Sequence, residues 1–141
     1  MVFSEDFCFH VFHRILHCRP FYQWIHKWHH EYHKPVSISN QYAHPIEHSL
    51  NFIAAISGLL ILGKNAHFST AMIWGAIRIY GAHEGHSGYE FPWSPIRLLP
   101  FGSDATYHDF HHSQNVCNYS SFMTIWDTIF DSNKEYYAYK L

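Results

Sequence analysis

Residues 26–34 read HKWHHEYHK, four histidines in nine positions. Nothing about folding a small domain calls for that density of a residue whose neutral ring is a metal ligand. Two other stretches repeat the pattern. His13-Arg-Ile-Leu-His17 is an H-x-x-x-H, and His108-Asp-Phe-His111-His112 repeats the H-x-x-H-H of His26-Lys-Trp-His29-His30. On a helix, residues at i and i+4 lie one above the other. We therefore expect His13 and His17 to share one face, His26, His29 and His30 a second, and His108, His111 and His112 a third. A helical bundle can aim three such faces at one interior point. A lone histidine is usually a surface or hydrogen-bonded core residue. Eight at helical spacing, in a chain poor in other polar groups, point to bound cations that use the neutral lone pairs.

The chain has 141 residues, 15 histidines and a formal charge of -2, so it offers no basic footprint for nucleic acid. Aromatics make up 19% and charged residues 14%, a mix suited to a membrane or its interface. Cys8, Cys18 and Cys117 are scattered, which argues against a disulfide framework or a thiolate zinc site and for reduced thiols. No cleaved secretory signal is legible near Met1.

Read in order, the sequence is all helical. Ser4 with Glu5 and Asp6 predicts an N-cap and a helix to about Cys18. Pro20 opens a second helix that ends near Lys34, before Pro35. Residues 35–43 are loop, and Pro45 opens a third helix that runs to Leu62 and stops at Gly63-Lys64-Asn65. A second apolar stretch covers residues 66–82. Each apolar segment is about 17 residues, the lower edge of what spans a bilayer, so together they predict a transmembrane or re-entrant hairpin. Arg78 is expected to snorkel to the interface. Residues 83–103 are loop, Ser103 or Asp104 caps the helix carrying YHDFHH, and Ser120 or Ser121 caps a short helix FMTIWDTIF. The tail after Asp131 reads as an exposed end.

Eight histidines are too many for one ion and enough for two. Imidazole suits zinc, copper, iron and nickel, so ligand type alone does not choose. The H-E-x-x-H of zinc proteases is absent, because His30-Glu31-Tyr32-His33 is one residue short. The Glu-x-x-His of ferritin-like sites is absent too. A histidine-lined di-metal centre beside apolar helices suggests oxygen chemistry on a greasy substrate.

The order H-x-x-x-H, H-x-x-H-H, distant H-x-x-H-H resembles the fatty acid hydroxylase/sterol desaturase superfamily of membrane di-iron oxygenases. The flanks IHKWHHEYHKP, YAHPIE, HSGYEFPW and HDFHHSQNVCNYSSFMTIWDTIF are similar to its text, and within it to the C4-methylsterol monooxygenases. The resemblance runs from about residue 10 to residue 137. It implies metal ligation by His13, His17, His26, His29, His30, His108, His111 and His112, by His86 of HSGYE, and more weakly by His44 of HPIE. It favours outer or surface roles for His48 and His83, and surface or supporting roles for His10, His33 and His67. It implies two irons, O2 as co-substrate, a sterol or other lipid substrate, and electrons from a cytochrome b5-type donor fed by an NAD(P)H reductase. It also implies an endoplasmic reticulum membrane with the histidines on the cytosolic side.

On this reading residues 1–141 form one catalytic domain without the family's usual N-terminal transmembrane helices. Cys117 and Asp131 stand where the family tends to carry glycine, at turns that want positive φ. Glu31, Glu84 and Asp109 are candidate acceptors for imidazole N–H groups, and Tyr89, Phe91 and Trp93 candidates for a substrate mouth. Alternatives are a sterol C5-desaturase, a sterol side-chain dealkylating enzyme, a lipid hydroxylase, or a non-catalytic histidine-rich metal-binding membrane protein.

Overall fold

The computed structural model describes residues 1–141. The chain is helical throughout, with a single isolated antiparallel bridge between Gly102 and Met123. The helices are α1 (Val2–Leu16), α2 (Arg19–Phe21), α3 (Pro45–Leu62), α4 (Phe68–Gly85), α5 (Ala105–Gln114), α6 (Ile125–Ile129) and α7 (Lys134–Lys140).

Helix α1 begins earlier than its sequence suggests. Ser4 does not cap it; its hydroxyl donates to Met1 O at 3.0 Å from within the first turn. Glu5 and Asp6 are not surface acids complementing the helix dipole but are fully buried. The Asp6 carboxylate accepts the backbone N–H groups of Ser121, Phe122 and Met123 at 2.9, 2.7 and 3.2 Å. That is why Ser121 caps no helix: the Met123 N–H that its hydroxyl would accept is already bound to a carboxyl more than a hundred residues away in sequence. Ser120 N–H is taken by Asp127 at 2.9 Å, so the last predicted helix shrinks to Ile125–Ile129.

The expected second helix, residues 20–34, is broken. After α2 comes a π-helical turn over Tyr22–His26, closed by Lys27 N–H to Tyr22 O at 2.8 Å, and then a 3-10 turn over His29–Glu31. A π-turn inserts one residue and changes the direction in which following side chains project.

Helices α3 and α4 form the expected hairpin about Gly63–Asn65, where Gly63 adopts φ 53. Pro45 opens α3 and His44 Nδ1 accepts Ile46 N–H at 3.1 Å. One face of α3 packs on α1 through Ala54 and Gly58, where any Cβ on Gly58 would strike Met1. The other face leaves Phe52, Ile53, Leu60 and Ile61 exposed. Pro45–Asn65, with a mean hydropathy of 1.5, is the one helix long and apolar enough to cross a membrane. Helix α4 runs three residues past the expected Ala82, and its apolar run is interrupted by Arg78, His83 and Glu84. Arg78 does not snorkel outward. It turns into the protein, where its Nε lies 2.7 Å from Glu5 Oε1. Trp74 ties the hairpin, its indole N–H donating to Ala55 O at 2.7 Å.

Asp104 caps α5 by accepting Tyr107 N–H at 2.7 Å, and Asn115 ends it in the left-handed region at φ 61. Asp131 also adopts positive φ, as expected. At the other expected turn it is Asn118, not Cys117, that takes the left-handed conformation. The tail is not a loose end: it forms α7, and Tyr136 is buried edge-on against Tyr107.

The apolar core is small: Trp74, Ile96, Phe122 and Met123. Polar side chains outnumber apolar ones among the buried residues, so the interior is organised by hydrogen bonds and charge. Asp127 is the second organiser. It accepts from Tyr107 OH, Ser132 OH and the N–H groups of Tyr119 and Ser120, at 2.7 to 2.9 Å. Burial alone would raise its pKa, but donors from His10, Ser132 and Ser120 together hold the carboxyl below its ordinary range.

Asp6→Ala leaves three backbone donors without their acceptor, and buried unpaired donors are expensive. We expect a loss of about 2–4 kcal/mol in chemical denaturation. Lys134→Ala, which breaks an exposed pair with Asp131, is expected to change stability by less than about 0.5 kcal/mol. Equal effects would show that Asp6 does not organise the fold.

Candidate metal centre

Nine histidine side chains converge in two groups. The first holds His13, His17, His26, His30 and His111; the second holds His29, His86, His108 and His112. Within each group one nitrogen per ring lies within 4.8 Å of every other. The groups adjoin: the His30 and His112 rings are 4.6 Å apart, centroid to centroid.

The two H-x-x-H-H motifs do not each present one face, as spacing alone suggested. His26 and His30 go to the first group, while His29 between them goes to the second. In the other motif His108 and His112 go to the second group and His111 to the first. For His108, His111 and His112 on α5 the reason is helical geometry; the His26–His30 motif makes the same division across a π-turn and a 3-10 turn. At 3.6 residues per turn, i+4 lies about 40° to one side of i and i+3 about 60° to the other, so the two diverge by roughly 100°. Each motif therefore straddles two sites, giving an i, i+4 pair to one and its i+3 member to the other. His13 and His17 on α1 complete the first group, and His86, just beyond α4, completes the second.

What fixes the rings lies behind them. His13 Nδ1 donates to Tyr119 O at 2.8 Å, His29 Nδ1 to Tyr42 O at 3.3 Å, and His86 Nδ1 to Ala82 O at 2.9 Å. His111 Nδ1 donates to Cys117 O at 2.5 Å and His112 Nδ1 to Tyr32 O at 3.1 Å. A carbonyl can only accept, so each of these rings carries its proton on Nδ1 and presents a bare lone pair at Nε2. His26 Nδ1 lies 2.9 Å from a carboxyl oxygen of buried Glu47, a close contact not aligned as a hydrogen bond.

The Nε2 atoms then meet one another. His29 faces His86 at 3.1 Å, and both are fixed as acceptors from behind. His108 lies 3.0 Å from His86 and 3.2 Å from His112; His26 lies 3.1 Å from His13 and 3.0 Å from both His17 and His30; His111 lies 3.1 Å from His30. Two lone pairs at such distances repel unless an electrophile sits between them. Protons do not fill that role, because burial, followed by repulsion from neighbouring imidazoles, pushes protonation down. His17 and His29 fall to about 4 and His112 to about 3. His13, His26, His30, His86, His108 and His111 are likewise pushed well below the usual imidazole range. The donor set fits two cations with imidazole ligands and backbone-anchored outer hydrogen bonds.

Of the histidines expected at the centre, only His44 stands apart: it caps α3 and packs against the Trp28 ring at 4.9 Å. His48 bonds Gln41 O, His83 bonds Ser37, His67 caps α4, and buried His10 sits 3.4 Å from Asp127. The candidate acceptors do not reach the rings. Glu31 accepts from Tyr42 OH, Glu84 accepts from Ser94 OH, and Asp109 bonds none of the histidines. Glu47, which does reach one, had only its place in HPIE to mark it, and the carbonyl acceptors leave no mark on a sequence. Tyr89, Phe91 and Trp93 are not at the mouth of the site. A cavity of about 80 Å³ opens beside the second group, lined by His29, His86, His108, Arg78, Glu84 and Asn51 among others.

The fatty acid hydroxylase family model matches residues 1–132. The chain belongs to that family. It is 41% identical over 135 residues to a Dictyostelium discoideum protein provisionally named a methylsterol monooxygenase, covering 95% of this chain and 50% of that protein. It is 39% identical over 135 residues to a very-long-chain aldehyde decarbonylase of Oryza sativa, covering 94% of this chain and 50% of that one. It is 37% identical over 135 residues to methylsterol monooxygenase 1 of Rattus norvegicus, covering 96% of this chain and 45% of that one. The chain thus spans about half the length of the curated relatives it matches. No solved structure matches it.

The depressed imidazoles set the pH response of the metal-free protein. Unfolded, each histidine takes up its proton near 6.5; folded, His17 and His29 resist until about 4. Their contribution to stability is therefore complete above about 6.5 and is lost as pH falls towards 4. Each such ring contributes up to about 1.4 kcal/mol per pH unit in that window. Chelator-treated protein denatured at pH 7.5 and 5.5 should show a much lower midpoint at 5.5. A flat response would mean the rings are not buried together.

Proposed function

We propose that this chain is the catalytic segment of a membrane di-iron oxygenase that oxidises a C4-methyl group of a sterol. The observation that carries the reading is the facing of backbone-fixed Nε2 lone pairs in two adjacent groups. One iron would be held by His13, His17, His26, His30 and His111, the other by His29, His86, His108 and His112. Two irons so ligated supply reductive O2 activation and the oxidising strength to attack an unactivated C–H bond. The protein's own share is geometric. Carbonyls of Tyr42, Ala82, Cys117, Tyr119 and Tyr32 hold the ring tautomers, Glu47 lies beside His26, and the cavity gives room for a substrate group beside the second group.

Electrons come from outside the chain, through a cytochrome b5-type donor and an NAD(P)H reductase, with O2 as co-substrate. We assign the protein to the endoplasmic reticulum membrane, with α3 in the bilayer and the histidines on the cytosolic side. The names of the Dictyostelium and rat relatives support a sterol substrate. The rice relative, nearly as similar, supports a second reading in which the same centre acts on a long-chain aldehyde.

Metal analysis of the purified chain tests the centre first. Two irons per chain with O2 consumption on adding reductant fit the oxygenase; one zinc without turnover fits a non-catalytic metal protein. His29→Ala is expected to lose most of one equivalent of iron, and His44→Ala to keep both. Sterol profiling of cells lacking the gene then tests the substrate. Accumulated 4-methylsterols support the first reading, and unchanged 4-methylsterols with altered long-chain aldehydes support the second.

A further inference from the structure

Arg78 is the one cation on α4, and it faces inward. Its side chain is 15% exposed, its Nε is 2.7 Å from the buried Glu5 carboxylate, and its Cζ lies over the rings of Phe9 and Phe122 at 5.5 and 5.7 Å. Glu5 and the two rings hold the guanidinium in place, yet its buried Nε has no aligned hydrogen bond to any residue of the chain. Arg78 lines the same cavity as His29, His86 and His108. Rigid, charged donors without a partner, beside a candidate reactive centre, are a site for an acceptor atom.

The rest of the lining says which acceptor. Glu84 and Asp104 also border the cavity, two carboxylates to the single guanidinium, so an anionic ligand is repelled. An uncharged hydroxyl is not: its oxygen accepts from Arg78 and its proton can be offered to a carboxylate. A cavity of about 80 Å³ holds such a polar corner and its neighbouring carbon, not a whole lipid.

We propose that Arg78 is a positioning residue that hydrogen-bonds a substrate hydroxyl carried next to the carbon to be oxidised. This rests on the sterol reading above, since a sterol bears its hydroxyl on the carbon adjacent to C4. Recognition of that oxygen would turn the C4 substituent towards the second histidine group.

The test measures binding, not turnover. The iron-loaded full chain in detergent is titrated with a 4-methylsterol and with its 3-deoxy analogue. The unaltered protein should prefer the hydroxyl form by roughly tenfold or more, the scale of one hydrogen bond to a charged donor. Arg78→Met combined with Glu5→Gln removes donor and counter-charge together and should bind both ligands equally with its iron content intact. Arg78→Lys keeps the charge on Glu5 should the double variant not fold, and should also lose most of the preference. If either folded variant keeps the full preference, Arg78 is only the counter-ion of Glu5 and the proposal is wrong, while the sterol reading stands. If the unaltered protein binds neither ligand, the sterol reading itself fails.

Discussion

The structure depends on lone-pair crowding. Nine imidazoles are packed so that their Nε2 atoms point at one another, and five of them have their only proton tied to a backbone carbonyl behind the ring. Such an arrangement is unstable by itself and becomes favourable around positive charge. Protons are a poor choice, because burial and the neighbouring rings depress protonation. Metal ions answer the same need without disturbing the ring tautomers.

This constraint explains why the interior is polar. With the centre of the molecule given to imidazoles, little room is left for an apolar core, and the one that exists lies off to a side around Trp74 and Phe122. Carboxylates take over the work of cohesion. Asp6 on α1 gathers the 121–123 backbone, and Asp127 gathers residues 119–120 together with Tyr107 and Ser132. The segment they hold supplies the Cys117 and Tyr119 carbonyls that orient His111 and His13. Folding and site geometry are therefore one network: the groups that fix the chain also aim the rings.

The apolar surface is separate in character. Helix α3 offers an apolar outer face and packs its small residues on α1, which carries two of the first-group histidines. Glu47, in the first turn of α3, lies beside His26. The helix long and apolar enough to cross a membrane thus approaches the histidine centre twice, through Glu47 in its first turn and through α1 at Ala54 and Gly58.

Spacing along the chain determined much of this. H-x-x-x-H and two H-x-x-H-H motifs gave the helical clusters, Asp104 gave its cap, and Asp131 gave its left-handed turn, because each is a local property of a few neighbouring residues. Family resemblance singled out His86, which spacing could not. What the sequence could not decide was why residues 20–34 abandon a regular helix yet still divide their histidines between two sites, and that Arg78, Glu5 and Asp6 turn inward. Those outcomes depend on partners far away in the chain: a carbonyl at 119, a carboxylate at 47, three N–H groups at 121–123. Local pattern sets which rings and charges exist; only the folded chain, by bringing donors and acceptors from distant segments together, decides where each must point.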